Sequence, residues 1–376
     1  MFQRRWTVPR QRRQGPQPRF RVGRQSKLSR VDSFGLVRCF VWLQRGKAQE
    51  SRPECRNDTL RERLLTYWPT LGGSVMFRAC LLCALLLVGL LSVGITAQPA
   101  GGPPLRLEQL EDKLYVLHGG CMCGNTLFYI ADGGVVMVDT KVAGQGDAIL
   151  GELRAVTDLP IVMIINTHTH FDHTGSNAEF GTIERMVAHE NARASLTKTS
   201  CPAVTNCDAF KGDNAKYLPN VTFSDTRTLN VGTDRIDLHY FGPGHTDGDT
   251  WIVFPDIRVA MGGDLFGAKG VPFIDTDNGG SAIAYDDTIA NAVAGLENVD
   301  TVISGHVEAY PWDDLVRYAD FHARLERHVL AGLAAGKTPE QVTGEFTLPD
   351  SLTDFTFSEP FATNFVRLMY AEASAQ

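Results

Sequence analysis

Hydrophobic and polar positions change period repeatedly between residues 105 and 376. Ile161–Ile165 (IVMII) is an unbroken apolar run, the pattern of a strand buried on both faces. Leu114–His118 also reads as a strand, followed by a tight loop over Gly119–Gly124. Asn125–Ile130 and Val135–Asp139 form a hairpin across Asp132-Gly133-Gly134. Asp147–Val156 has helical spacing (Ile149, Leu150, Leu153, Val156), ended by Leu159-Pro160. A strand over Ile183–His189 and a short helix over Glu190–Leu196 follow, then a loop over Ser200–Tyr217. Short strands come next at Thr226–Leu229, Arg235–Tyr240, Thr250–Phe254 and Val259–Met261, with a Gly-rich loop at Gly267–Gly280. Helices are expected over Ala282–Leu296, Trp312–Ala335 and Phe361–Ala373, with a strand at Thr301–Ile303. Strand-rich stretches with helices between and after them predict an α/β (α+β) domain of two sheets sandwiched by helices.

The first hundred residues follow none of these periods. Residues 1–75 hold 17 Lys+Arg against 5 Asp+Glu, whereas residues 98–376 hold 18 against 38. The net charge of −7 therefore averages two dissimilar pieces. Met76-Phe77-Arg78 is a short positive segment, Ala79–Val93 is almost wholly apolar, and Gly94–Ala97 supplies small residues before Gln98-Pro99. That is the anatomy of a secretory signal peptide over 76–97, cut after Ala97. The basic stretch 1–75 then reads as a disordered leader, a basic arm, or sequence upstream of the natural start at Met76, the last being favoured. Were Met1 the start, the apolar run could anchor the chain, near the lower length limit for a membrane span. Residues 98–104 form a Pro/Gly linker, and 105–376 the main folded domain. The expectation is a periplasmic or secreted protein with no stable membrane association after cleavage. Its acidity makes it a poor nucleic-acid binder and leaves a small-molecule substrate as the expected partner.

Four of the eight cysteines, Cys121, Cys123, Cys201 and Cys207, lie beyond the signal region. Export permits disulfides, and Cys201–Cys207 is the expected pair. Cys121 and Cys123 are too close in sequence for an unstrained mutual bridge, so they are expected as packed thiols or as a redox-sensitive pair.

The chemistry concentrates after the Ile161–Ile165 strand. His168, His170, Asp172 and His173 put four metal-capable side chains within six residues, on a loop that can splay them around a point. Imidazole with carboxylate suits zinc and similar divalent ions. Further candidates each follow a short strand beside glycines: His245 in FGPGHTDGD, Asp264 in MGGDLF and His306 in ISGHV. Alone, each would be an ordinary polar residue after a strand; their joint arrangement argues for a metal site. His118, His189, His239, His322 and His328 belong to no such station and read as structural or surface residues.

H-x-H-x-D-H at His168–His173, then GHTDGD, GGDLF and SGH in that order, resembles the metallo-β-lactamase-fold hydrolases over nearly all of residues 105–373. The resemblance implies a four-layer αββα sandwich and two zinc ions, with iron or manganese as alternatives. His168, His170 and His245 would hold one ion, and Asp172, His173 and His306 the other. Asp264 would bridge both and Asp172 would orient the attacking water. It implies hydrolysis of an ester, thioester, lactone or amide carbonyl by a dizinc-bound hydroxide. Position 170 is His, where the redox di-iron branch has an acidic residue. Asp264 stands where the best-known zinc β-lactamases carry Cys or Ser, as in glyoxalase II-like enzymes, so β-lactam hydrolysis is the alternative. A non-catalytic metal-binding accessory protein of an exported redox pathway is a third reading. Phe266, Phe273, Asp275, Tyr310 and Trp312 flank the ligand loops and are candidates for the substrate pocket.

Overall fold

Alternation along single strands sets the layering. The computed structural model describes residues 103–121 and 123–375. The expected leader, signal peptide and most of the linker lie outside the described residues. In β2 (Leu114–His118), β3 (Thr126–Ala131), β4 (Gly134–Val138) and β5 (Ile161–Ile165), successive side chains enter two different apolar layers. Val116, Leu127, Tyr129, Val136, Val138, Met163 and Ile165 face one layer. Leu117, Phe128, Val135, Met137 and Ile164 face the other, against Ile149 and Leu153 of α1 (Gly146–Arg154). This is the period-two geometry of a sheet buried on both sides.

With β1 (Arg106–Glu111), β6 (Arg185–His189) and β7 (Val221–Phe223) these strands form one sheet in the order β1 to β7. It is antiparallel as far as β4 and parallel from β4 to β7. The second sheet has the order β13-β12-β11-β10-β9-β8. Its strands are β8 (Thr226–Val231), β9 (Asp234–His239), β10 (Trp251–Phe254), β11 (Val259–Gly263), β12 (Thr301–Ser304) and β13 (Ala309–Pro311). Only its β11–β12 pair is parallel.

Ile252, Phe254, Val259, Met261 and Ile303 meet the first sheet in the central layer. Their neighbours Trp251, Val253, Ala260 and Val302 point the other way, into the helices. There α4 (Tyr285–Gly295), α5 (Trp312–Ala334) and α7 (Phe361–Ala373) close the sandwich, with the short α6 (Pro339–Glu345) beside them. On α5 the buried residues Leu315, Tyr318, His322, Leu325 and Val329 fall three or four apart, the stripe that packs a helix on a sheet. Each fully buried apolar side chain contributes about 1.5–3 kcal/mol. An exposed pair such as Arg258–Asp300 contributes about 1 kcal/mol at most. Layer packing therefore holds the fold. The two-sheet, helix-flanked architecture is the one expected. Among the described residues no helix is long and apolar enough to cross a membrane.

Two expectations need correction. Cys201 and Cys207 are joined as expected, but Cys121 and Cys123 are also joined as a disulfide. In an extended strand two residues rise about 6.6 Å. The loop after Gly119 and Gly120, both in the left-handed region, brings the Cys121 and Cys123 Cα atoms to 5.2 Å, inside the range a bridge needs. The His-rich segment is also not loop throughout: Phe171–Thr174 closes one helical turn, α2, whose first carbonyl is that of His170.

Candidate metal centre

β4 and β5 run parallel and end side by side, and the site is built where they stop. Asp139 follows β4 with φ 56°. Its Oδ1 accepts from Thr167 N at 2.8 Å, and its Oδ2 from Thr167 Oγ1 at 2.7 Å and from His173 Nδ1 at 2.7 Å. Asn166 and Asn177 exchange side-chain hydrogen bonds beneath the loop, and Asn166 Nδ2 also donates to the His173 carbonyl. Three buried polar residues therefore aim the segment His168–His173 before any ion is considered.

The second sheet delivers the remaining side chains. His245 leaves the β9–β10 connection, Asp264 the end of β11 and His306 the end of β12. The structure brings all seven expected residues together in two groups: His168, His170, His245 and Asp264, and Asp172, His173 and His306. Asp264 lies between them, its carboxylate 3.4 Å from His173 Nε2, 3.6 Å from His245 Nε2 and 3.1 Å from His306 Nε2. Two glycines make room. A Cβ on Gly305 would stand 2.1 Å from Asp264 Oδ1, and one on Gly124 would stand 2.3 Å from the His173 ring.

Which ring nitrogen is engaged decides whether these residues suit metal ions. His168 Nδ1 is paired with Thr167 Oγ1, His170 Nε2 with Asp275 Oδ2, His173 Nδ1 with Asp139 and His245 Nδ1 with the Phe273 carbonyl. The opposite nitrogen of each ring turns inward. His245 Nε2 then lies 3.1 Å from His170 Nδ1, and His173 Nε2 lies 3.3 Å from His306 Nε2. His168 Nε2 and Asp264 Oδ1 are buried with no hydrogen-bond partner, which is costly unless something else takes their lone pairs. Outer bonds that fix ring orientation around converging nitrogens are the support that metal-binding histidines use. The residues fit divalent ions.

The electrostatics agree. Burial and the neighbouring imidazoles hold His168 well below the usual imidazole value, and burial takes His245 down to about 4. For His173 burial also opposes protonation, but Asp264, Asp172 and Asp139 outweigh it and lift the ring to about 10. Burial opposes ionisation of Asp264, yet the His173 and His306 rings carry its carboxyl well below the ordinary range. The carboxylates favour positive charge inside a buried imidazole cluster, which bound metal ions would supply.

Several supporting residues carry no motif of their own. Lys141, fully buried, donates from Nζ to the carbonyls of Leu117 at 3.0 Å and Gly124 at 2.8 Å. Burial pushes its pKa down to about 8. Asn125 donates from Nδ2 to the carbonyls of Ser304 at 3.0 Å and Val307 at 2.8 Å, gripping the turn that bears His306. Of the pocket candidates, Phe266 is fully buried and packs on Tyr310 and Tyr318. Tyr310 and Trp312 pack against the same helix-side layer. These three belong to the packing of the helix-side layer. Asp275 is buried beneath His170 and orients it. Phe273 remains half exposed beside the site.

The five other histidines are spent elsewhere. His189 caps α3 (Glu190–Leu196) and stacks on Tyr240, His239 stacks on Phe241, and His328 bonds the Val342 carbonyl. His322 is buried among aromatics. His118 lies near Glu108 and Glu308, a trio close enough for an ion, but Arg106 already pairs with both carboxylates at 2.8 and 2.7 Å.

The family model described as the metallo-beta-lactamase superfamily matches residues 119–306, half of the chain, and spans all seven clustered residues. The chain belongs to the metallo-β-lactamase superfamily. Metallo-beta-lactamase type 2 of Elizabethkingia meningoseptica is 26% identical over 239 residues, covering 60% of this chain and 87% of that protein. Metallo-beta-lactamase IND-1 of Chryseobacterium indologenes is 22% identical over 210 residues, covering 55% and 81%. Among solved structures, the stereoselective inverting sec-alkylsulfatase Pisa1 from Pseudomonas sp. superposes with a TM-score of 0.57 at 17% identity, over 71% of this chain and 50% of that one. That likeness speaks for the fold. Membership and relatives together indicate a metal-dependent hydrolase of the metallo-β-lactamase superfamily. Helices α5 to α7 lie beyond the matched residues.

Proposed function

We propose that this chain is an exported two-zinc hydrolase that cleaves the carbonyl of an ester, thioester, lactone or amide. The observation that carries the reading is the inward convergence of ring nitrogens from His168, His170, His173, His245 and His306 around Asp264. When bound, two ions supply an activated water and stabilise negative charge on the carbonyl oxygen. The side chains do the rest. Asp264, within reach of both groups of side chains, would serve the ions of both. Asp172 Oδ2, 3.4 Å from His306 Nε2 at the more exposed end of the site, orients the attacking water and takes up its proton. Asp139, Asp275 and the Phe273 carbonyl keep three rings from turning. The signal-peptide pattern before residue 98 and the Cys201–Cys207 pair support export.

A second reading, β-lactam hydrolysis, is favoured by the two relatives named as metallo-beta-lactamases. Asp264, the carboxylate at the bridging position of the Asp-bridged branch, weighs toward acyl hydrolysis instead. Metal analysis of the purified chain should find about two ions. A panel of thioester, lactone, carboxylic ester and cephalosporin substrates, with and without chelator, then separates the readings. Thioester or lactone turnover abolished by chelator is expected. Cephalosporin turnover alone would establish the second reading. Less than one ion per chain, or full activity in chelator, would sink both; two bound ions with no turnover of any substrate would leave the non-catalytic, metal-binding accessory role.

A further inference from the structure

Large apolar side chains exposed among the described residues are few: Leu159, Phe171, Phe273, Val316 and Phe361. Phe171 adjoins two clustered residues in the chain, and Phe273 and Phe361 line one groove beside the metal centre. Phe171 stands between His170 and Asp172 in the chain and is 42% exposed. Phe273 is 54% exposed, and its ring centroid lies 5.9 Å from the His245 ring and 6.1 Å from the His170 ring. Phe361, 64% exposed, opens α7 and shares a groove with Phe273. This groove, about 470 Å³, runs between Pro272–Ile274 and the α7 residues Phe361, Phe365 and Leu368. Its volume falls in the range of small-molecule sites, about 300–1,000 Å³. The cation on its rim, Arg367, is tied to Glu340 at 2.6 Å, so the lining offers apolar surface and no unpaired charge. An exposed apolar patch of this kind marks a binding surface, and its continuity with two of the clustered histidines through Phe273 says for what.

We propose that the groove between Pro272–Ile274 and α7 binds the apolar part of the substrate, and that the enzyme acts on substrates with an uncharged alkyl or aryl group beside the scissile carbonyl. This rests on the hydrolase reading above and names the substrate class of the same site. α7 lies outside the residues that the family model matches. Phe273 couples the groove to the metal centre: its carbonyl holds His245 while its ring forms the wall between metal centre and groove.

Two series on the metal-loaded full chain test this. Calorimetry measures binding of linear carboxylates from acetate to octanoate, and steady-state kinetics measure p-nitrophenyl esters of the same acyl lengths. Affinity and kcat/KM are expected to rise by up to about fourfold per methylene as the tail fills the groove. Phe361→Ser and Leu368→Ser should cut that dependence by half or more, whereas Val316→Ser, at an exposed position on α5, should keep it. Phe361 is exposed, so its substitution tests the groove even if Leu368→Ser fails to fold. A flat series in the unaltered protein, or an undiminished slope in Phe361→Ser, would overturn the proposal. Length-dependent carboxylate affinity without turnover of any ester would keep the groove and reject the acyl-hydrolase reading. Turnover without length dependence would do the reverse.

Discussion

Asp139 Oδ2 and His173 Nδ1 are 2.7 Å apart, and both side chains are fully buried. The bond joins the end of β4 to the helical turn carrying Asp172 and His173, and it leaves His173 Nε2 facing the cluster. Asp139 reaches this position with a left-handed backbone, a conformation that costs a non-glycine residue about 1–3 kcal/mol. The three hydrogen bonds it accepts from Thr167 and His173 offset that cost.

Asp139→Asn should therefore act on metal affinity. The amide keeps the shape but replaces one accepting oxygen with a donor, so it cannot serve all three donors, and it no longer raises the basicity of the His173 ring. Loss of such an outer partner typically weakens metal binding about 10–100-fold. Competition against a chromogenic chelator measures it, and an affinity equal to that of the unaltered chain would count against the role given to Asp139.

Gly305→Ala should damage the site through sterics alone. The new Cβ would meet Asp264 Oδ1 at 2.1 Å and the Gly263 carbonyl carbon at 2.8 Å, and neither the packed backbone of β11 nor the carboxylate has room to retreat. Bound metal is expected to fall below one ion per chain by elemental analysis. Gly151→Ala is the control. Gly151 sits within α1 with no heavy atom within 4 Å of its added Cβ, so it should keep the metal and gain up to about 1 kcal/mol of stability. Equal metal contents in the two variants would refute the steric account.

Asn125 and Asp275 support opposite groups of the cluster, and their loss should be distinguishable. Asn125→Ala frees the Ser304–Val307 turn and so the His306 side, whereas Asp275→Ala frees His170. Each is expected to weaken one of two binding steps about 10–100-fold and leave the other nearly unchanged. A two-step titration with zinc reads this directly. Equal weakening of both steps in both variants would show that the groups are not separately supported.

How far the sequence discloses this molecule depends on where each residue's partners lie. Strands buried on both faces advertise themselves as apolar runs, so Ile161–Ile165 and Val135–Val138 are legible without any structure. The edge strand Arg106–Glu111 (RLEQLE) is mostly polar because it lies at the sheet edge and meets solvent, and the three-residue strands Val221–Phe223 and Ala309–Pro311 are too short for a period. Helix α6 does carry a local signature, the Thr338–Gln341 capping box with Pro339. The clustered His and Asp residues are conspicuous because the chemistry needs those residue types beside turns. Asn125 is not: it works through carbonyls 179 and 182 positions away. Lys141 and Asp139 act likewise through segments brought near only by the fold. Phe266 illustrates the converse. It adjoins Asp264 within two positions, yet its side chain turns into the helix-side layer, a direction the pattern MGGDLF does not encode.

His322 should make folding acid-sensitive independently of the metal. It is buried on α5 among Tyr285, Tyr318, Phe321 and Phe365, and its Nε2 has no partner. Burial pushes its pKa down to about 3, only partly opposed by a hydrogen bond with the Gly270 backbone. The ionisable neighbours, Tyr285 and Tyr318, are phenols that burial pushes up, so neither supplies a compensating charge. The folded chain keeps the ring neutral, while the unfolded chain protonates it near the ordinary value of about 6.5. Between these two values the unfolded state binds more protons, so stability is complete above about 6.5 and falls as pH drops toward 3. At pH 4.5 the loss is about 2–3 kcal/mol. His322→Phe removes the titrating group and retains a planar ring. Urea unfolding of both proteins at pH 7 and pH 4.5, in chelator throughout so that metal release is common to both, isolates the effect. The variant's stability relative to the unaltered chain should improve by about 2–3 kcal/mol at the lower pH, and a difference that does not change with pH would show that His322 is protonated within the fold.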